Sequence, residues 1–330
     1  MGQPGRAVVS TIWLCPGQGA QKVGMGKDLA ERFPDARAVF DAIDTALGVG
    51  LSRIMFAGPE EDLIATQNAQ PAILAHSAAV FTIVRTKLGA GGAPVTAAGH
   101  SLGEYSAYVT AGALDAAAAA KLVRRRGELM QKAGEERPGT MAAVLGLPTK
   151  EVEAACEEAS QQASIAVAAN INAPDQTVIS GDPDAVTRAG EACKKRGAKR
   201  VIPLKVSGAF HSPLMGPAKN HLQLALERTE FSDPAFPVIA NATAEAVKDA
   251  GRARRLLADQ LTAAVRWVEC MQHAARIGAE AGGAGGAGGA RFIEIGPGQV
   301  LAGLLKRIVP EANVVSLGTA DEVTKFMEAA

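Results

Sequence analysis

The sequence predicts an α/β fold in two parts, a large domain built on a parallel sheet and a small domain inserted into it. Three observations carry this. Short β-rich runs alternate with longer helical ones along most of the 330 residues, the order that folds into a parallel sheet covered by helices. Between residues 141 and 206 the order changes to β-α-β-β-α-β, a ferredoxin-like arrangement of small-domain size. Beyond Ser212-Pro213 the first pattern returns. Hydrophobic residues make up 48% of the chain and aromatics only 4%, so a sizeable core is expected, packed from Ala, Val, Leu and Ile.

Residues 8–14 read as a buried strand, ended by Pro16-Gly17-Gln18-Gly19. Over 71–88, Ile73, Leu74, Ser77, Val80, Phe81, Val84 and Leu88 recur at helical spacing, with Pro71 suited to the first turn. Residues 95–98 make a short strand, Gly99-His100-Ser101-Leu102-Gly103 turns, and a helix begins near Glu104. Another helix, over 116–130, follows Gly112. In the small domain, strands are predicted over 141–147, 165–170, 176–180 and 199–206, and helices over 151–162 and 184–196. Ser212-Pro213 is a helix cap followed by a helix-starting proline. Strands over 236–240 and 291–295 complete the large domain. The expected bounds are 1–136 with 208–330 for the large domain and 137–207 for the small one. The tract 281–290 contains only Gly and Ala and reads as a flexible loop.

Composition excludes several function classes. Lys plus Arg total 34 against 34 Asp plus Glu, so no strongly basic field is available for nucleic acid. No run approaches the ~18 apolar residues of a membrane span. Residues 1–10 lack the apolar stretch of a signal peptide. Cys15, Cys156, Cys193 and Cys270 are scattered, without CxxC pairing or metal-ligand spacing. They read as free thiols in a reducing cytoplasm, and neither a metal nor a cofactor is expected.

Two features point to chemistry. Gly99-His100-Ser101-Leu102-Gly103 fits G-x-S-x-G between a strand and a helix, the context of a nucleophile elbow and hence of an α/β-hydrolase-like large domain. A serine hydroxyl needs a base, and five histidines are available: His76, His100, His211, His221 and His273. His76, His221 and His273 lie in helical stretches, and His100 adjoins the serine, where neighbouring side chains point apart. His211 lies in a loop between a strand end and a helix start, where such folds gather their site residues. A nearby helix N-terminus would help keep its imidazole neutral. The second feature is Arg126. Leu122, Val123, Arg126, Leu129 and Met130 form one helical stripe, so this arginine lies on an apolar face. It either pairs with an internal carboxylate or waits for a carboxylate substrate; spacing leaves both open.

Together these segments resemble the malonyl-CoA:acyl carrier protein transacylase family over nearly the whole chain. The resemblance rests on Pro16-Gly17-Gln18-Gly19-Ala20-Gln21, on residues 67–71, on 99–107, and on 170–181 with Asn172, Pro174 and Gln176. Gly208-Ala209-Phe210-His211-Ser212, Gln260-Leu261 with Trp267, and Gly296-Pro297-Gly298 complete it. It implies that Ser101 is acylated, that His211 is its base, and that the Gln260 backbone carbonyl orients the imidazole. It implies an oxyanion hole from the Gln18 and Leu102 amides, a grip by Arg126 on the malonyl carboxylate, and a Phe210 ring that crowds an α-methyl. One departure is Ala264, where the family carries proline before Val265; another is the length of the tract 281–290.

The implied partners are malonyl-CoA and an acyl carrier protein, with no nucleic acid or membrane, for a monomer of the cytoplasm supplying fatty-acid synthesis. An acyltransferase of a polyketide assembly line is the alternative. A serine hydrolase is the rival, with Asp175, Asp182 or Asp184 as triad acid by chain order. A third reading is a catalytically silent subunit that binds the carrier protein; the presence of both Ser101 and His211 argues against it. Carrier proteins are usually acidic, so docking is expected at Lys194, Lys195, Arg196, Lys199 and Arg200, or at Arg252, Arg254 and Arg255.

Overall fold

A computed structural model describes residues 10–88, 94–281 and 290–329. Residues 8–9 of the first expected strand and 282–289 of the Gly/Ala tract lie outside the described residues. Ten strands appear among the described residues: β1 (Thr11–Cys15), β2 (Thr96–Gly99), β3 (Thr140–Leu145), β4 (Ala166–Ala173), β5 (Gln176–Gly181), β6 (Arg200–Pro203), β7 (Val238–Ile239), β8 (Ala246–Val247), β9 (Arg291–Ile295) and β10 (Asn313–Leu317).

Six of them form one sheet in the order β10-β9-β1-β2-β7-β8. All neighbours are parallel except β7 and β8. β1 is buried on both faces, with Ile12, Trp13 and Leu14 at 2% exposure or less, as a central parallel strand must be. It pairs with β2 on one side and β9 on the other. The connection from β1 runs to β2 and that from β9 runs the other way, to β10, which opens a crevice between β1 and β9 at the carboxyl ends of the strands.

Helix Thr66–Leu88 packs on helix Ala116–Glu136 beside this sheet. The approach is close, since a Cβ on Gly127 would lie 2.7 Å from Gln67 Cα. That contact explains one difference from the sequence reading. Pro71 does not open its helix but sits inside it, because the turn from Thr66 is clamped against Gly127. Proline is normally costly in a helix interior, and here tertiary packing overrides that preference.

The other four strands form an antiparallel sheet, β4-β5-β3-β6, entirely from residues 140–203. Helices Thr149–Ala159 and Pro183–Lys195 cover one face. Val152, Ala155, Cys156, Val186, Ala189 and Cys193 pack there on Ala142, Val144 and Ile179, a core separate from that of the large sheet. The small sheet is tied to the segment before helix Trp267–Ala281, where Val265 bonds the β4 backbone, accepting from Ile171 N at 2.9 Å and donating to Ala169 O at 2.8 Å. Ala264 thus leaves the adjacent backbone on an ordered course. Arg307 adds a side-chain link to Asp175 and Gln176.

Candidate active site

The turn after β2 is built by close approach. A Cβ on Gly99 would fall 1.9 Å from Gly103 C, and one on Gly103 2.0 Å from Cys15 O. Only glycine fits at either place, and helix Gly103–Thr110 can start directly above β1. Between them Ser101 adopts φ 51°, a left-handed conformation uncommon for a residue with a side chain. Asn241 brackets the turn from β7. Its Oδ1 accepts from Ser101 N at 2.7 Å, and its Nδ2 donates to Gly99 O at 2.8 Å.

Ser101 Oγ lies 2.8 Å from His211 Nε2, and His211 Nδ1 lies 2.9 Å from the Gln260 carbonyl. A carbonyl can only accept, so Nδ1 carries the hydrogen and Nε2 is left to accept from the hydroxyl. His211 also has positive φ, 57°. Its ring is buried, and burial together with the Arg126 charge lowers its pKa from 6.5 to about 3. The sequence predicts that a nearby helix N-terminus helps keep it neutral. The segment after His211 is instead a short 3-10 turn, Pro213–Met215, capped by Ser212 Oγ, and burial dominates.

Arg126 is 1% exposed. Its Nη1 donates to Gln70 Oε1 at 2.8 Å, and its Nη2 to Ser101 Oγ and to Gln260 Oε1, each at 3.0 Å. Its Cζ stands 5.6 Å from the Tyr105 ring centroid. These hydrogen-bond partners are neutral, so among the described residues the internal carboxylate pair that the sequence left open is not formed. A guanidinium removed from water against neutral partners holds unspent capacity for an anion.

The remaining expected residues surround this centre. Phe210 is buried beside His211. Leu102 caps the elbow helix. A Cβ on Gly17 would lie 2.4 Å from His100 O, which sets the Gln18 loop against the elbow, and Gln18 Nε2 reaches Thr66 Oγ1 at 3.5 Å. His100 turns to the small sheet, 2.8 Å from Asn172 Oδ1, and packs edge-on to Trp267. Of the rival triad acids, Asp175 pairs with Arg307 and Asp182 with Arg137 and Ile165 N, and Asp184 is exposed on the first turn of helix Pro183–Lys195.

Sequence reasoning misses three members of the cluster. Gln70 lies within residues 67–71 but carries no role there, and Asn241 has no local signal. Glu104 reads locally only as a helix start. It is fully buried, and its Oε2 accepts from Asn241 N at 2.9 Å and Gln260 Nε2 at 2.7 Å. Burial raises its pKa from 4.5 to about 7.

A nucleophile elbow, a tautomer-fixed imidazole and a buried guanidinium form an acyl-transfer arrangement, and the model of the acyl transferase domain matches residues 12–327. The chain belongs to the acyl transferase domain family. This acyltransferase is 40% identical over 311 residues to the malonyl CoA-acyl carrier protein transacylase of Bacillus subtilis, covering 94% of each chain. It superposes with TM-score 0.89 on an acyl carrier protein S-malonyltransferase from Vibrio cholerae, at 41% identity, covering 96% of this chain and 99% of that one. The same score relates it to a malonyl-transacylase solved in complex with its type II PKS acyl-carrier protein, at 40% identity, covering 97% and 100%. The fold is thus the mixed α/β architecture of those transacylases. Among the described residues no group of three or more His, Cys, Asp or Glu could hold a metal ion. No helix among them is long and apolar enough to cross a membrane.

Proposed function

We propose that this acyltransferase moves the malonyl group from malonyl-CoA to the phosphopantetheine thiol of an acyl carrier protein. The reaction is ping-pong. Ser101 Oγ attacks the thioester carbonyl while its proton passes to His211 Nε2. The oxyanion, held by the Gln18 and Leu102 amides, collapses, and the CoA thiolate leaves with that proton. The malonyl-Ser101 ester is then attacked by the carrier thiol, and the same steps in reverse order free the serine. Arg126 grips the malonyl carboxylate in a bidentate pair, and Phe210 crowds an α-methyl group. The carboxylate also offsets the Arg126 charge that depresses His211, which makes the imidazole a better base when the donor is malonyl.

One observation carries this reading. His211 bridges the Ser101 hydroxyl and the Gln260 carbonyl while a buried guanidinium stands 3.0 Å from the same hydroxyl. A hydrolase would place a carboxylate at Nδ1. The reading includes a large domain of 1–136 with 208–330, a small domain of 137–207, catalysis without a cofactor, and a cytoplasmic monomer serving fatty-acid synthesis. Docking of an acidic carrier falls to the first basic cluster. There Lys195, Lys199 and Arg200 are exposed while Lys194 and Arg196 pair with Glu191, Glu151 and Glu158; in the second cluster Arg255 is exposed, Arg252 pairs with Glu245 and Arg254 lies over Phe231.

The test is incubation with radiolabelled malonyl-CoA. Label is expected on Ser101 and, when a holo carrier protein is added, on the carrier. Release of free malonate at full rate without the carrier would make the protein a hydrolase.

A further inference from the structure

Glu104 is a charged side chain at the centre of the site that the reaction does not use directly. It follows the nucleophile by three residues, on the first turn of helix Gly103–Thr110, and is fully buried. One oxygen, Oε2, takes two hydrogen bonds, from Asn241 N and from Gln260 Nε2, while Oε1 has no partner among the described residues. Gln260 is the residue through which the site is joined. Its side-chain oxygen accepts from Arg126 Nη2, its amide nitrogen donates to Glu104 and to Ser101 O, and its main-chain carbonyl holds His211. A donor on one side and two acceptors on the other leave that amide one orientation. Without an acceptor at Glu104, the amide loses its strongest constraint, and a buried donor is left unpaired.

We propose that Glu104 is a positioning residue, whose carboxylate fixes the Gln260 side chain that ties Arg126 to His211 and whose charge competes with the acyl carboxylate for Arg126. This rests on the reading that Arg126 binds the donor's carboxylate. Arg126 is the facing cation. Tyr105 and Tyr108 lie on the same helix and Cys270 on helix Trp267–Ala281, and burial raises all three well above neutrality. His211 titrates far below it. Glu104, near 7, is therefore the group of this cluster that changes charge between pH 6 and 8. As pH rises, its ionisation opposes a second carboxylate at Arg126 and leaves an acetyl donor indifferent.

The experiment compares Glu104→Gln and Glu104→Leu in single-turnover loading of Ser101 from malonyl-CoA and acetyl-CoA. Gln keeps the acceptor oxygen and removes the charge, whereas Leu removes both. Expected for Leu is a loss of roughly ten-fold or more in loading rate at saturating donor, with both donors. Expected for Gln is acetyl loading within about three-fold of wild type. In the wild type, malonyl KM relative to acetyl KM rises about three- to ten-fold from pH 6 to 8, and in Glu104→Gln that rise disappears. Wild-type loading rates in the leucine variant, or an unchanged pH rise in the glutamine variant, would overturn the proposal. If the leucine variant melts far below wild type, the glutamine profile decides alone. Failure of the underlying reading shows separately, as equal loss of both donors in Arg126→Ala.

Discussion

His211 and His76 both lie buried beside loops that leave the large sheet, and burial holds both neutral, His211 near 3 and His76 near 4. Their surroundings differ in kind. His211 meets a hydroxyl on one nitrogen and a carbonyl on the other. His76 lines a cavity of about 410 Å³ with Lys22, Asp28 and Glu322, and among the described residues neither of its nitrogens has a well-formed hydrogen bond, although the Gly318 carbonyl faces it. Burial is therefore the main cause that keeps either imidazole neutral. What makes it a base is a carbonyl that fixes the tautomer and a nucleophile on the opposite nitrogen.

The largest effect expected from this contrast is on catalysis. His211→Ala should slow loading of Ser101 from malonyl-CoA by about 10²–10⁴-fold, the usual worth of a general base, while His76→Ala stays within about two-fold. Rapid-quench measurement of the acyl-enzyme checks both. A large loss at His76 would break the contrast and move the chemistry towards the second cavity.

Next in size is the arginine between the histidine and the donor. Arg126→Ala is expected to cost roughly 10²-fold in kcat/KM for malonyl-CoA, the scale of losing a charge-assisted bidentate pair. The loss for acetyl-CoA should be under about ten-fold, since that donor has no carboxylate to grip. Equal losses for both donors would mean that Arg126 serves only to hold Gln70 and Gln260 in place.

How much of this was legible depended on whether the cause was local. The elbow could be read because Gly99 and Gly103 are required within five residues, by contacts at 1.9 and 2.0 Å. Arg126 could be read because a 3.6-residue period exposes a charged side chain on an apolar face. The β-α-β-β-α-β order of the small sheet was likewise written in alternating runs. Gln70, Asn241 and Glu104 were not legible as a cluster, because each meets partners 56 to 156 residues away through backbone positions that the sequence does not mark. The helix start at Thr66 rather than Pro71 has the same origin, a tertiary contact with Gly127 that local propensity cannot contain.

The smallest expected effect isolates His76 from catalysis altogether. Its pKa is 6.5 when unfolded and about 4 when folded, so below pH 6.5 the unfolded chain binds a proton that the folded chain refuses. Stability contributed by this neutral histidine is complete above 6.5 and falls as pH drops towards 4. Between pH 7 and pH 5 the loss is about 2 kcal/mol. His211 adds a loss of the same sign, and Glu104, raised to about 7, acts in the opposite sense, destabilising the fold as pH rises. Both are shared by wild type and His76→Leu, so they cancel in the difference. Urea midpoints at pH 7 and pH 5 should therefore converge for His76→Leu relative to wild type, with loading of Ser101 unchanged. An undiminished acid loss in the variant would show that His76 is protonated inside the fold, with Asp28 and Glu322 stabilising the charge, and the two histidines would then differ in charge as well as in partners.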